Sequence, residues 1–84
     1  MQLSGKNDSR LADLMRGQQG RISGFDLPAD FSRRLMELGF LPGGLVKAGR
    51  TAPGGDPRVF EVDGSEIALR RETAEQIHIE DVLG

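Results

Sequence analysis

Two short stretches of the sequence have a spacing or side chains that could support chemistry, and the first is GFLPGG. Its outer glycines, Gly39 and Gly44, have the G-x-x-x-x-G spacing of a phosphate-cradling loop. Such a loop follows a strand, opens a helix and continues with lysine and a hydroxyl residue, because those side chains hold phosphate and magnesium. Leu45 and Val46 occupy these positions here, and the pattern predicts a helix before the loop. The glycines therefore favour a turn, with a nucleotide-binding protein as an alternative hypothesis.

The second stretch is IHIE, which contains the single histidine of the chain. His78 and Glu80 are two residues apart in a predicted strand, so both side chains lie on one face, opposite Ile77 and Ile79. Because the chain has no cysteine, these two ligands complete a four-ligand metal site only with a neighbouring chain or water. A solvent-facing histidine and no intrinsic cofactor is the favoured interpretation. The alternative is a divalent metal that is adventitious or shared across a homodimer.

Catalytic residues are not indicated elsewhere in the sequence. The serines have no nucleophile motif around them, and the sequence identifies no residue that would orient the lone His78. Glu72 and Glu75 fall in a predicted helical turn, where solvation explains them without a catalytic role. The sequence therefore predicts that the protein is not an enzyme.

Length and composition limit both the fold and the partners. A chain of 84 residues predicts one domain with a small core, and without cysteine no disulfide supports that core. The formal net charge is −2 with both signs spread along the chain, which argues against nucleic acid as a partner. The start, MQLSGKNDSR, lacks the apolar core of a signal peptide, and no later run is long enough to span a membrane. We expect a cytoplasmic protein without direct membrane insertion.

A helix is predicted immediately before the glycine loop. Phe31, Leu35 and Leu38 recur at i, i+4 and i+7, which places them on one helical face toward the core. Gly39 then fits the left-handed position just past the helix, where a side chain would be unfavourable. This places Phe40 over Leu35, the hydrophobic contact of a Schellman ending.

The remaining segments predict short strands separated by turns. Pro42–Gly43 turns the chain, since proline fixes φ and glycine accepts a positive φ. In RVFEVDGSEIALR, apolar and polar residues alternate on both sides of Asp63–Gly64, which suits a primed hairpin turn. A short helix is expected from Ser9 to Arg16, a helical turn in RETAEQ, and strands in RISGF, LVKAGRT and IHIE. The predicted fold is mainly β: a small barrel of about five strands with added short helices.

Four segments, in this order and spacing, resemble the ferrous iron transport protein A family, FeoA: LADLMRGQQGRISGF, RRLMELGFLPGG, APGGDP and VDGSEIALRRETAEQIHI. The resemblance covers about residues 10–80, and we expect residues 1–9 to be a polar, mobile N-terminus and residues 81–84 to be a C-terminal tail. It implies an SH3-like barrel without enzymatic activity. It further implies a cytoplasmic accessory protein of bacterial ferrous iron uptake, recruited to the inner face of the membrane by a permease with a GTP-binding domain.

The residues available for a partner differ from those of an ordinary SH3 domain. Proline-rich ligands dock in aromatic grooves, but this chain has no Trp or Tyr, and the core needs most of its four Phe side chains. We therefore expect the permease to bind beside the helix and glycine loop, which would modulate its assembly or activity. The expected contacts are Arg34, Met36, Glu37 and Leu41.

Two alternatives to this docking surface remain open. Met36 and Leu41 could pack against the barrel and contribute only stability, because small domains need their apolar residues in the core. A different class of function is a metal-responsive regulatory module, in which a divalent ion drives self-association through His78 and Glu80.

Overall fold

The computed structural model describes residues 9–84, whose strands form one antiparallel sheet in the order β1-β6-β2-β3-β4-β5. The strands are β1 Ser9–Arg10, β2 Gln19–Phe25, β3 Leu45–Thr51, β4 Arg58–Val62, β5 Ser65–Leu69 and β6 Ile77–Leu83. The helical elements are a 3-10 turn at Leu11–Asp13, helix α1 at Ala29–Glu37 and helix α2 at Arg71–Ala74. The mainly β fold is confirmed, with six strands because the two-residue β1 joins the predicted set.

The N-terminal helix predicted from Ser9 to Arg16 is wrong. Ser9 and Arg10 instead pair with β6, and a single 3-10 turn follows. Leu11 and Leu14 are both buried, and their i, i+3 spacing matches the three residues per turn of a 3-10 helix. Of the predicted mobile terminus at 1–9, only Ser9 falls within the described residues.

The hairpin of β4 and β5 follows the predicted alternation. Asp63 and Gly64 have φ values of 50° and 80°, the two positive angles of a type I′ turn, and Val62 pairs with Ser65 across it. Phe60 and Val62 are buried while Glu61 between them is exposed. The local sequence therefore determines both the turn and the face of β4 that enters the core.

The core lies inside the curved sheet and draws on almost every element. Its buried hydrophobic residues are Leu11, Leu14, Ile22, Leu35, Phe40, Val46, Ala48, Phe60, Val62, Leu69, Ala74, Ile77 and Ile79. Gly20 of β2 lies so close to β6 that a Cβ atom there would be 2.3 Å from Cγ2 of Ile79. The close approach of β2 and β6 at this position therefore favours a glycine.

The end of α1 confirms the predicted Schellman ending. Gly39 has a φ of 115°, its amide donates to the Met36 carbonyl (3.0 Å), and the Phe40 amide donates to the Leu35 carbonyl (3.0 Å). The side chains of Leu35 and Phe40 are both buried. Leu35 before Gly39 and Phe40 after it therefore both pack into the core where the chain leaves the helix.

The predicted apolar face of α1 is only partly correct. Leu35 is buried, but Phe31 and Leu38 are 39% and 47% exposed, while Ser32 is buried and Met36 half-buried. The helix is rotated by about a quarter of a turn from the predicted orientation, at 100° per residue. The buried Ser32 hydroxyl donates to the Leu27 carbonyl (3.3 Å). This hydrogen bond satisfies a polar side chain that the predicted apolar face would have left exposed to solvent.

Candidate functional site

The loop after α1 carries two exposed leucines beside a shallow groove. Leu41 and Leu45 are 51% and 46% exposed, and both line a cavity of about 390 Å³. Gly39 and Gly44 also line this cavity, and Arg21 and Asp63 are the charged residues in its lining. We call this feature the Leu41 groove. It combines an apolar surface with one charge of each sign.

Backbone hydrogen bonds hold the glycine loop against β2. The Gly43 amide donates to the Ile22 carbonyl (2.6 Å), and the Ile22 amide donates to the Gly44 carbonyl (3.0 Å). The Arg21 guanidinium adds a bond from Nη1 to the Gly43 carbonyl (2.9 Å). The loop therefore projects Leu41 from a position fixed at several points.

The same hydrogen bonds argue against the nucleotide alternative. A phosphate loop needs backbone N–H groups that point to the ligand. In this loop the amides of Gly39, Phe40, Leu41, Gly43 and Gly44 all donate to backbone carbonyls. Pro42 has no N–H, so no amide between positions 39 and 44 is left for phosphate.

Of the four predicted contact residues, the structure leaves three exposed. Arg34, Glu37 and Leu41 face solvent, whereas Met36 is half-buried because of the rotation of α1. Their role in binding stays a prediction. The half-burial of Met36 is in line with the alternative that this side chain contributes to packing.

Three further large apolar residues are exposed on or just after α1 and at the start of β3, and none of them is among the four predicted contact residues. Phe31 and Leu38 lie one above the other on α1, seven residues apart, and Leu45 begins β3. Strand alternation could have identified Leu45, because Val46 and Ala48 are buried on the opposite face. Phe31 and Leu38 had no such signal, since their spacing is also that of a core face.

Two arginines of α1 add positive charge to this side of the molecule. Arg33 and Arg34 are both exposed, and neither forms an ion pair with any residue of 9–84. Their guanidinium groups are therefore open to acidic side chains of a partner. Glu37, one turn after Arg33, balances part of this charge.

His78 lies in a small charged cluster that the sequence did not reveal. Its Nε2 atom is 2.7 Å from Oδ2 of Asp26, and Nη1 of Arg10 is 3.5 Å from the same oxygen. Asp26 directly follows β2, and the pairing of Phe25 with Ile77 brings it beside β6. Only the strand register makes this contact, so no local pattern in the sequence could have shown it.

The predicted metal residues share the outer side of β6. His78 is half-buried and Glu80 exposed, while Ile77 and Ile79 are fully buried on the other face, as the alternation predicted. Within residues 9–84, no group of three or more His, Asp or Glu side chains is arranged to hold a metal ion. An inter-chain metal site at His78 and Glu80 stays a prediction that requires a second chain.

No helix among residues 9–84 has the length and apolar character needed to cross a membrane, and the longest of them, α1, has nine residues.

Comparison with known proteins identifies relatives over nearly the whole described chain. The sequence profile of the FeoA domain matches residues 9–81. The Fe(2+) transport protein A/Fe(2+) transporter FeoB fusion protein of Porphyromonas gingivalis is 32% identical over 71 residues. That alignment covers 84% of this chain and 8% of the fusion protein, so this chain corresponds to a small part of that relative.

Solved structures of similar proteins have the same fold. The FeoA protein of Chlorobium tepidum superposes with a TM-score of 0.80 at 32% identity, covering 86% of this chain and 69% of that one. The FeoA of Stenotrophomonas maltophilia, solved in complex with zinc and described as a prokaryotic SH3 domain protein, gives a TM-score of 0.74 at 30% identity. It covers 86% of this chain and 89% of its own. These similarities confirm the SH3-like architecture.

Proposed function

The chain belongs to the FeoA domain family, whose members named above include Fe(2+) transport proteins, and on that premise we propose that it is an accessory protein of ferrous iron uptake. It binds the cytosolic, GTPase-bearing part of a ferrous iron permease and modulates the assembly or activity of that permease. The proposed role is non-enzymatic. The protein is cytoplasmic and reaches the inner face of the membrane by binding this partner.

The observation that carries this proposal is the fusion protein of P. gingivalis, in which an Fe(2+) transport protein A segment and the transporter FeoB share one chain. A covalent link keeps two modules at a high effective concentration, which is useful when they act together. Where the two are separate chains, a docking surface has to supply the association.

The Leu41 groove is the surface of this protein that fits such a role best. Leu41 and Leu45 present exposed apolar area, and Leu38 adds a third exposed leucine at the end of α1. Apolar centres with charged rims are typical of protein interfaces, and Arg21 and Asp63 supply charges in the lining of the groove.

Modulation of the permease requires that the protein distinguish between states of its partner. A ligand shifts a conformational equilibrium only through a difference in affinity for the two conformations. A GTP-binding domain changes shape around its nucleotide, so its nucleotide state is the difference that we expect the Leu41 groove to recognise.

The test is co-purification with the complete permease in detergent, with and without guanine nucleotide. We expect Leu41→Asp and Leu45→Asp to weaken binding about tenfold or more, because a carboxylate replaces an apolar contact. Leu83→Asp is the matched control, since Leu83 is an equally exposed leucine (59%) outside the groove. Folded Leu41→Asp and Leu45→Asp variants that bind as well as Leu83→Asp would refute the proposal.

A metal-responsive module is the second candidate, because the S. maltophilia relative was solved in complex with zinc. In this chain the donors would be His78 and Glu80 of two copies, since no cluster of three such donors exists within residues 9–84. Self-association that depends on a divalent ion would favour this candidate over docking to the permease.

A further inference from the structure

A second cavity lies at the open seam of the barrel. The sheet begins with β1 and ends with β5, so no backbone ladder joins these two strands. Between them is a cavity of about 200 Å³, which we call the seam pocket. Ala12, just after β1, lines one side, and Leu69, at the end of β5, lines the other. The seam pocket has no lining residue in common with the Leu41 groove.

The inner wall of the seam pocket is apolar. Phe60, Leu69 and Ala74 line it, and their side chains are almost fully buried, with exposures of 0%, 8% and 2%. The cavity of about 200 Å³ is smaller than the roughly 300 Å³ at which pockets for drug-sized ligands begin, so it suits a small aliphatic group.

The rim of the seam pocket carries an arginine that lacks a counter-ion. Arg58 is half-buried and lies over the Phe60 ring, with its Cζ atom 5.8 Å from the ring centroid. Its Nη1 donates to the Leu14 carbonyl and its Nε to the Gly49 carbonyl. These bonds use two of the five guanidinium N–H groups, and no carboxylate of residues 9–84 forms an ion pair with Arg58. A partly desolvated cation that has no anionic partner among residues 9–84 favours the binding of an anion from outside the chain.

Two more charged residues complete the rim. Arg71 also lines the seam pocket and forms no ion pair with residues 9–84. Asp56 lines it with the opposite charge, and its Oδ1 accepts a hydrogen bond from the Arg71 amide (2.9 Å). Together with Arg58, these side chains leave a net charge of +1 beside an apolar wall. Thr51 also lines the seam pocket, and its side chain carries a hydroxyl group that can donate a hydrogen bond.

We propose that the seam pocket binds a carboxylate carried on a small apolar group. The apolar part lies against Phe60, Leu69 and Ala74, and the carboxylate pairs with the guanidinium groups of Arg58 and Arg71. Two sources present this chemistry: a small free carboxylic acid and the C-terminal residue of a peptide that ends in an aliphatic side chain. This binding is independent of the docking proposed at the Leu41 groove.

The first experiment is a titration followed by ¹H–¹⁵N correlation NMR spectra of the full chain. The probes are 4-methylpentanoate, its uncharged amide 4-methylpentanamide, and the peptide acetyl-Gly-Gly-Leu with a free carboxyl end. We expect saturable shifts at Ala12, Thr51, Leu69 and Ala74, with a dissociation constant in roughly the millimolar range for so few atoms. The amide should bind about tenfold more weakly, because it lacks the charge.

The two acids distinguish the source of the carboxylate. Tighter binding of the peptide supports a peptide terminus, and tighter binding of 4-methylpentanoate supports a free acid. Either result agrees with the proposal. Absence of saturable shifts with both acids, or equal affinity for 4-methylpentanoate and its amide, would overturn it.

Charge variants then test the recognition itself. Arg71→Gln should weaken 4-methylpentanoate binding about fivefold, since Arg71 is an exposed cation. Asp56→Asn keeps an oxygen for the Arg71 amide but removes the repelling charge, so it should strengthen binding by a similar factor. Arg16→Gln, which changes the charge equally outside the seam pocket, should leave affinity unchanged. If both rim variants behave like Arg16→Gln, the carboxylate site does not exist.

Discussion

The amide of Phe40 donates to the carbonyl of Leu35 across the end of α1, and both side chains enter the core. This bond reverses the chain direction within a few residues and leaves Leu41 outside. The reversal depends on Gly39, whose φ of 115° is unfavourable for any residue with a side chain. The backbone angle of Gly39 thus helps to determine the position of the proposed docking surface, together with the bonds that hold the loop to β2.

Gly39→Val should lower the free energy of unfolding by about 2 kcal/mol, because a β-branched residue is strained at this φ. The added Cβ would meet Val62 at 3.5 Å, an ordinary contact, so the cost comes from the backbone and not from a clash. Gly39→Asn should cost less, since asparagine tolerates a left-handed conformation better. Urea denaturation of both variants measures the difference. Equal losses would contradict the assignment to backbone strain.

Leu35→Ala should destabilise the protein by about 2 to 4 kcal/mol, because its side chain is 2% exposed and its loss leaves a cavity. Leu38→Ala on the same helix should cost less than about 1 kcal/mol, since that side chain is 47% exposed. Thermal or urea unfolding of the pair reports the orientation of α1. A larger loss for Leu38→Ala would show that the helix packs in the orientation predicted from its leucine spacing.

Gly20→Ala should destabilise the protein by about 3 kcal/mol or prevent folding, because the new Cβ would overlap Cγ2 of the fully buried Ile79. Gly24→Ala in the same strand is the control, as no atom lies within 4 Å of a Cβ built there. Expression yield and unfolding midpoints of the two variants measure the effect. A Gly20→Ala variant as stable as Gly24→Ala would disprove the close approach of β2 and β6.

Zinc or ferrous ion should leave the mass of the protein in solution unchanged, because His78 Nε2 is 2.7 Å from Asp26 and no three donors converge within residues 9–84. Light scattering during a metal titration measures this mass, and His78→Ala is the control. A metal-dependent dimer that is lost in His78→Ala would instead establish the metal-responsive module.

Local features of this fold were predictable from the sequence. The β4–β5 hairpin followed from alternation around Asp63 and Gly64, and the end of α1 followed from Gly39. Strand β3 has the predicted bounds, Leu45–Thr51. In each case the determining residues are neighbours in the chain, so their conformational preferences act without help from the rest of the fold.

Features that depend on distant contacts were missed or misplaced. The orientation of α1 buries Ser32, and the hydrogen bond from Ser32 to Leu27 makes burial of this polar side chain acceptable. The Asp26–His78 contact depends on the register of β2 with β6, between residues 52 positions apart. The seam pocket draws its charged rim from the β3–β4 loop, β4 and α2, and no local spacing reveals such a combination.

The bonds that fix the glycine loop to β2 have a consequence for the kinetics of association. Because Gly43 and Gly44 are already joined to Ile22, the loop loses little conformational freedom when a partner arrives. An encounter with the proposed permease partner therefore needs no slow rearrangement on this side. Arg21→Ala removes one of these attachments together with a charge of the Leu41 groove, so it should lower affinity for the proposed partner.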